Sequence, residues 1–310
     1  MAASPVGVLI MAYGTPARPE DILAFYTDIR RGRPPTPEQL ADLKRRYYAV
    51  GGTSQLAART AEQVAGVQAA LDAAAPGEYV CRFAAKHASP SIEDAVQAMA
   101  LDGVKRVVGF VLAPHYSAGS VGEYLSRFER AAAAAAMSVG TVEGWHDHPV
   151  LIELLAERVR AAYASIGSDP TDPGIRLLVS AHSLPMRIIE SGDGYDQRLH
   201  ETAELVATNT GAARWQVCWQ SAGRTPEPWI GPDVLEVLKA LPAEGVAGAV
   251  VCPAGFTSDH LEVNYDLDIE ANALAQDLGL RFTRTASLNA DERLCAALAG
   301  LVSGAVPPAQ

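Results

Sequence analysis

The sequence predicts an α/β protein made of two similar Rossmann-like lobes, each a parallel sheet with helices on both faces, with a cleft between the lobes. Short apolar runs alternate with helical segments along the chain, which is the pattern of βαβ units. Two segments of the first half also recur in the second half. VGVLIMAYGTP (6–16) aligns with IRLLVSAHSLP (175–185), and VLAPHYSAGSVGEY (111–124) aligns with VVCPAGFTSDHLEVNY (250–265).

Each apolar run predicts a strand, and the rhythm of the whole chain favours parallel strands covered on both faces. In chain order, strands are expected at 6–11, 79–84, 104–112, 138–144, 175–180, 214–218, 246–251 and 280–285. The more polar or Ala-rich segments between them predict helices, joined to the strands by right-handed connections. These helices are expected at 19–25, 37–48, 57–73, 91–100, 120–136, 149–165, 195–208, 232–241 and 290–302, with a further long helix after the turn at 252–255.

A stretch rich in Pro, Gly and Asp at 167–174 marks the expected boundary between the lobes. The N-terminal lobe is therefore placed at 1–166 and the C-terminal lobe at 167–310. The last helix, about 290–303, is free to pack back on the first lobe.

Composition limits the function classes. The net charge of −11 argues against a general nucleic-acid binder and gives no attraction to an anionic membrane. The chain shows no integral membrane segment and no signal peptide, so we expect a cytoplasmic, soluble protein. The four cysteines lie far apart without a C-x-x-C pair, which favours reduced thiols, and Cys252 after a strand is expected to be core.

Candidate functional residues follow the strands. In open α/β sheets, ligands bind beyond the carboxyl ends of the strands. Tyr13, His115 and Tyr116 are therefore expected on one lip of the cleft, and His182 on the other. The repeat alignment places Tyr13 opposite His182. A histidine after a strand is by itself more often structural than a ligand.

Three carboxylates, Glu262, Asp266 and Glu270, stand four residues apart on the long helix and so share one side. Like charges at this spacing repel each other. The row is either a solvated helix face or a path for a divalent cation. A neutral imidazole beside carboxylates suits first-row cations, so the neighbouring His182 favours the metal path.

The opposite lip carries cations in the sequence DIRRGRPP, namely Arg30, Arg31 and Arg33, and Lys86 in AAKHASP. Arginine can grip carboxylates in a fork geometry, although a basic turn can also be merely solvated. Metal ligands on one wall and a carboxylate clamp on the other suggest a flat, acidic organic ligand that receives a metal.

Three segments resemble the signatures of ferrochelatases, which insert ferrous iron into porphyrins: SAHSLP (180–185), WQSAGRTPEPWIGPDV (219–234) and GFTSDHLEVNYDLDIEA (255–271). The chelatase-type fold of that family has two lobes. Residues 11–57 resemble the Gram-positive branch, which uses coproporphyrin III and forms coproheme. The branch that uses protoporphyrin reads NLGTP near Tyr13, so Tyr13 discriminates between the two.

The resemblance implies a role for each matching position. His182 and Glu262 match the catalytic pair that meets the metal, and which of them accepts the pyrrole protons stays open. Asp266 and Glu270 match outer metal positions, and Tyr13 approaches the metal from the other face. The implied substrate-binding residues are Tyr13, Ile29, Arg30, Arg31, Ser54, Lys86 and Tyr124.

The resemblance also implies partners and cofactors. Coproporphyrin III and Fe²⁺ are the expected substrates, with no tightly bound cofactor and no nucleic acid. Cys295 stands alone in the region where some relatives carry several cysteines, so no iron–sulfur cluster is predicted. We expect a monomer that transiently contacts the next enzyme of heme synthesis.

Three alternatives remain at this point. The protein could use protoporphyrin IX, or it could metallate another tetrapyrrole, in which case additional histidines are expected on the metal side. A two-lobed carrier of heme or porphyrin is the alternative that is not an enzyme. A carrier has no need for the acidic row, and no G-x-G-x-x-G or P-loop supports a nucleotide enzyme.

Overall fold

The computed structural model describes residues 4–308. Its strands are β1 (Val6–Ala12), β2 (Tyr79–Ala85), β3 (Arg106–Val111), β4 (Ser138–Val142), β5 (Ile175–His182), β6 (Trp215–Gln220), β7 (Gly248–Cys252) and β8 (Arg281–Arg284). Its α-helices are α1 (Ile22–Ile29), α2 (Pro37–Ala49), α3 (Leu56–Ala74), α4 (Ile92–Leu101), α5 (Val121–Ala134), α6 (Pro149–Ser165), α7 (Met186–Glu190), α8 (Tyr195–Thr210), α9 (Val234–Ala240), α10 (Asn272–Asp277) and α11 (Glu292–Gly304).

The strands form two parallel four-stranded sheets with the same internal order, β2-β1-β3-β4 and β6-β5-β7-β8. The predicted fold class is confirmed. β1 and β5 are equivalent inner strands, and every residue of β1 is buried, as its uninterrupted apolar sequence predicts. Because Tyr13 directly follows β1 and His182 ends β5, the repeat delivers these two side chains from equivalent points of the two sheets.

Two helices cross between the sheets. α6 follows the last strand of the first sheet but packs against α8, β7 and β8. α11 follows the last strand of the second sheet but packs against α3, β3 and β4. The last helix of each half therefore packs on the other half. The division into two lobes between residues 166 and 167 stays a prediction from the sequence.

The largest core is shared by both halves. It contains Val8 and Ile10 of β1, Leu177 and Val179 of β5, and the inner faces of α6 and α11. Each sheet also has an apolar cluster on its far face, under α4 and α5 in the first half and under α9 and α10 in the second. Within residues 4–308, every helix is too short or too polar to cross a lipid bilayer.

The helix that carries the acidic row is not a continuous α-helix. Its segment Val263–Ala271 is a π-helix, which leads directly into α10. The sequence predicted helical structure here but not this wider winding, because apolar spacing reports which side is buried and not which carbonyl each N–H reaches. The short helix α7 after β5 was also not predicted.

Candidate active site

His182 is oriented by the backbone that follows β5. Its Nδ1 lies 2.5 Å from the carbonyl oxygen of Ser183, to which it donates a hydrogen bond. The Tyr195 hydroxyl donates to the carbonyl oxygen of His182 at 3.0 Å, and the Ser183 N–H donates to that of Gln220 at 2.8 Å. With Nδ1 occupied, Nε2 is the nitrogen left to bind or accept a proton.

Glu262 lies between two histidines. Its Oε1 is 3.7 Å from His182 Nε2, and its Oε2 is 3.5 Å from His260 Nε2. Burial favours the neutral acid, but the two histidines hold the pKa of Glu262 well below its ordinary value. Burial also lowers the pKa of His182, but the Glu262 carboxylate and the Ser183 carbonyl outweigh it and raise that pKa above the ordinary histidine value.

Sequence reasoning missed His260. It lies two residues before Glu262 in the quoted motif, but it precedes the helix, so the helical spacing did not select it. Its ring packs on Phe256, with ring centroids 4.7 Å apart. Glu262 therefore lies beside two imidazoles, and a shortage of histidines no longer argues against chelation of another tetrapyrrole.

The acidic row is largely shielded from solvent along the helix. Ser221 Oγ donates to Asp266 Oδ2 at 2.5 Å, and Arg46 Nη1 lies 3.5 Å from Asp266 Oδ1. Burial raises the pKa of Asp266 to about 6, and the charges of Glu262 and Glu270 add to this, while Ser221 and Arg46 oppose it. Because Asp266 is buried and both glutamates are half-buried, the row is not a solvated helix face.

Basic residues that the sequence did not single out lie beside this acidic row. Asp42 on α2 pairs with Arg45 at 2.7 Å, with Arg46 at 3.3 Å and with Arg224 at 2.8 Å. Arg224 belongs to the loop after β6, so this cluster joins the two halves at the edge of the cleft. The Arg46 guanidinium also lies 4.9 Å above the Tyr265 ring.

Tyr13 stands on the opposite wall, and 42% of it is exposed. Gly14 has a φ of +89°, and a Cβ there would lie 2.9 Å from the side chains of Ala85 and Ala88, so the turn after Tyr13 requires glycine. The His87 N–H donates to the Tyr13 carbonyl at 3.1 Å. Burial of the Tyr13 hydroxyl end raises the pKa of the phenol, and the charge of Glu262 adds to this effect.

The loop after β2 supports this wall. His87 packs edge-on against Tyr13, with centroids 4.7 Å apart, and its Nδ1 lies 2.7 Å from Asp28 Oδ2. Lys86 pairs with Glu123 and lies 4.9 Å from the centre of the buried Tyr124 ring. Lys86 is therefore engaged within the protein and would have to leave Glu123 to meet a ligand.

The remaining predicted residues surround this wall. Arg30 stacks 5.7 Å from the Tyr26 ring centroid. Arg31 is exposed, and its guanidinium makes no hydrogen bond or ion pair with any residue in 4–308, although its backbone N–H donates to the Asp28 carbonyl at 2.8 Å. Ser54 Oγ accepts a hydrogen bond from the Leu56 N–H at 3.2 Å, which leaves its proton available. Ile29 is half-buried at the end of α1.

One expectation about the cleft was wrong. His115 does not line the open lip, because it turns inward and is only 3% exposed. Its Nε2 lies 2.9 Å from Thr202 Oγ1 on α8, and burial lowers its pKa to about 3. Cys252 is fully buried, as predicted, and burial raises the pKa of its thiol to about 12, so it is not a reactive group.

Two Rossmann-like lobes with the same strand order form the two-lobed fold that is also seen in solved metal chelatases. The sirohydrochlorin chelatase SirB from Bacillus subtilis subspecies spizizenii, solved with cobalt, superimposes with a TM-score of 0.61 at 10% identity over 97% of this chain and 95% of that chain. CbiX, described as the terminal enzyme of siroheme biosynthesis in denitrifying bacteria, gives a TM-score of 0.53 at 16% identity over 97% of this chain and 100% of that one.

Sequence comparison is more specific. The ferrochelatase family model matches residues 5–306. The coproporphyrin III ferrochelatase of Geobacillus sp. (strain WCH70) is 44% identical over 97% of this chain and 98% of its own length. The coproporphyrin III ferrochelatase of Bacillus subtilis (strain 168) is 42% identical over 97% of this chain and 98% of its own length. The chain belongs to the ferrochelatase family.

Proposed function

We propose that the protein inserts Fe²⁺ into coproporphyrin III and forms coproheme. The observation that carries the proposal is the His182–Glu262 pair, 3.7 Å apart, at the end of β5, with Tyr13 after the equivalent strand β1 of the other sheet. The relatives named coproporphyrin III ferrochelatases, which match nearly the whole chain at 42–44% identity, support the choice of substrate.

His182, Glu262 and His260 would handle the protons. Each Fe²⁺ that enters the ring replaces two pyrrole N–H protons, so the site needs an acceptor and a way to pass protons on. His182 Nε2 is accessible as the acceptor because Nδ1 is already bonded to Ser183. Glu262 then stabilises the imidazolium, and His260 on its other oxygen offers a further step.

Glu262, Asp266 and Glu270 would pass the hydrated cation inward. Their oxygens suit a divalent ion, and the imidazole beside the innermost carboxylate suits iron. Burial raises the pKa of Asp266 to about 6, so this carboxylate is mostly ionised above pH 6 and mostly neutral below it.

The first-lobe wall would hold the porphyrin. Tyr13 approaches the ring centre, and the exposed, unpaired Arg31 can bind a propionate. Ile29, Arg30, Ser54, Lys86 and Tyr124 complete the proposed contacts. Coproporphyrin III carries four propionates where protoporphyrin IX carries two, so several basic and hydroxyl groups around the wall favour the former.

The proposal further includes a cytoplasmic monomer that needs no tightly bound cofactor and hands its product transiently to the next enzyme of heme synthesis. Size-exclusion chromatography with light scattering checks the monomer. A pull-down with coproheme present checks the transfer contact.

The test is anaerobic Fe²⁺ insertion with coproporphyrin III, protoporphyrin IX and sirohydrochlorin side by side. Coproporphyrin III should give the highest kcat/KM, and His182→Ala should lower kcat by about 100-fold or more while porphyrin binding persists. A preference for either other tetrapyrrole would overturn the substrate assignment. Tight porphyrin binding without insertion would replace the enzyme with a carrier.

A further inference from the structure

Gln63 connects the two lobes from the middle of α3. It is fully buried, and its amide is bonded entirely to residues of the second half. Nε2 donates to the Asn289 carbonyl at 3.0 Å and to Thr257 Oγ1 at 3.3 Å. Oε1 accepts from Ser258 Oγ at 2.9 Å.

These contacts converge on the loop that leads into the site. Thr257 Oγ1 also donates at 3.2 Å to the carbonyl of Leu112, the residue directly after β3. On the other side, the Asn289 N–H donates to the Thr257 carbonyl at 2.7 Å, and the Asn289 amide donates to Asp259 Oδ2 at 2.9 Å. The loop is thus held by the first lobe through Gln63 and Leu112 and by its own lobe through Asn289.

The position of this loop sets the position of the proton-handling groups. His260 and Glu262 follow Ser258 by two and four residues. The buried Gln63 amide donates two hydrogen bonds and accepts one across the two lobes. A shift of either lobe would leave a buried donor or acceptor without a protein partner and without water, which costs free energy. The same bonds therefore fix the loop relative to the lobe that carries Tyr13.

We propose that Gln63 is a positioning residue for metal insertion, which holds the 257–260 loop of the second lobe against the first lobe and so sets how Glu262 and His260 face the porphyrin wall. This inference rests on the proposed function. Gln63 does not touch the reacting atoms itself.

The same helix supplies a matched control. Gln68 is a glutamine on α3 whose Nε2 donates to the Tyr79 carbonyl at 3.1 Å and whose Oε1 accepts from the Cys81 N–H at 2.7 Å. Both partners belong to β2 of its own lobe. Gln63→Met and Gln68→Met each remove an amide of the same size, but only the first breaks bonds between the lobes.

Steady-state kinetics below the melting temperature of both variants separates the two roles. Gln63→Met should lower kcat by about tenfold or more, because small displacements of catalytic groups slow the chemical step. It should also shift the pH profile of kcat, while KM for the porphyrin changes little. Gln68→Met should keep the wild-type kcat and pH profile although it also melts earlier. Equal kcat values and pH profiles for the two variants would reduce Gln63 to a structural residue.

A second measurement does not depend on activity. Amide hydrogen exchange across 257–264 should be faster in Gln63→Met than in the wild type, and unchanged there in Gln68→Met. If the wild-type protein metallated no tetrapyrrole, the proposed function would fail, and unchanged exchange would still independently overturn the positioning role. If Gln63→Met did not fold, Ser258→Ala, which removes one of the three bonds, should show the same effects at smaller size.

Discussion

At the scale of single residues, the charge of Glu262 governs the protonation of its neighbours. It raises the pKa of His182, its partner on the same wall, and contributes to the raised pKa of Tyr13 and of Tyr47 across the cleft. Burial is the main cause of the raised phenol pKa values, and the Glu262 carboxylate adds to them, while it makes the imidazole of His182 more basic.

Glu262→Gln tests this coupling. Without the charge, the pKa of His182 falls, so the rising limb of the activity profile should move to lower pH, and kcat should drop by about 100-fold. The measurement is kcat against pH with coproporphyrin III and Fe²⁺. A limb that stayed in place would show that His182 does not control it.

Asp266 reduces stability when it is ionised. Its folded pKa of about 6 lies above the ordinary value, so its contribution to stability is full at acid pH and is lost as pH rises through about 6. Asp266→Asn should therefore stabilise the protein by about 1 to 3 kcal/mol at pH 8 and have little effect near pH 4, as measured by urea unfolding.

Asp259 should affect stability in the opposite direction, because its pKa is lowered on folding. Burial would raise its pKa, but Asn289, Ser287 and Arg284 together hold that pKa below the ordinary value, so its stabilising effect exists above the ordinary pKa and is lost as pH falls. Asp259→Asn should destabilise the protein at pH 8, with a difference that shrinks below about pH 4. If Asp266→Asn and Asp259→Asn changed the free energy of unfolding at pH 8 in the same direction, the opposite pKa shifts assigned to the two carboxyls would be wrong.

At the scale of elements, the π-helix is held by Arg284 of β8. Its guanidinium binds Asp268, in the middle of the π-helix, through two hydrogen bonds of 2.6 and 2.8 Å, and reaches Asp259 at 3.2 Å. The Arg284 side chain is only 16% exposed and that of Asp259 19%, whereas Asp268 is 44% exposed, so the guanidinium and the Asp259 carboxylate are the shielded groups.

Arg284→Met should lower the free energy of unfolding by about 1 to 3 kcal/mol, because the mostly buried Asp259 carboxylate loses its cationic partner and Asp268 loses two hydrogen bonds. Arg293→Met is the matched control, since Arg293 makes the same two-bond contact with Glu157 where both side chains are about half exposed. Its melting temperature should stay close to that of the wild type, since exposed pairs contribute little. Equal losses would show that burial of the Arg284 contact does not matter.

Elements also show what the sequence could and could not predict. Parallel strands predicted the placement of Tyr13 and His182, because each residue directly follows or ends a buried apolar run. His260, Ser221 and Arg46 were missed because they meet the acidic row from loops or from the other lobe, and no local spacing marks such contacts. His115 was misplaced because strand ends fix where a loop begins and not whether its side chains turn inward to Thr202.

At the scale of the whole molecule, the shared core makes the two lobes one cooperative unit. Residues of β1 and β5 belong to the same apolar cluster, together with α6 and α11. We expect a single thermal transition by calorimetry, with equal calorimetric and van't Hoff enthalpies.

A fragment of residues 1–166 should not form a stable fold on its own, because it lacks α11 over α3 and leaves α6 without α8. Near-ultraviolet circular dichroism should show no fixed aromatic environment in the fragment, in contrast to the full chain. A sharp melting transition of the fragment would instead establish the first lobe as an independent domain.

The exchange of α6 and α11 also has an evolutionary consequence. Each half ends in a helix that completes its counterpart, and the two sheets share one strand order. Two copies of a half-length chain would build the same architecture as a symmetric dimer with swapped C-terminal helices. The architecture of the protein is that of such a dimer joined into one chain, in which the two halves are free to differ in sequence.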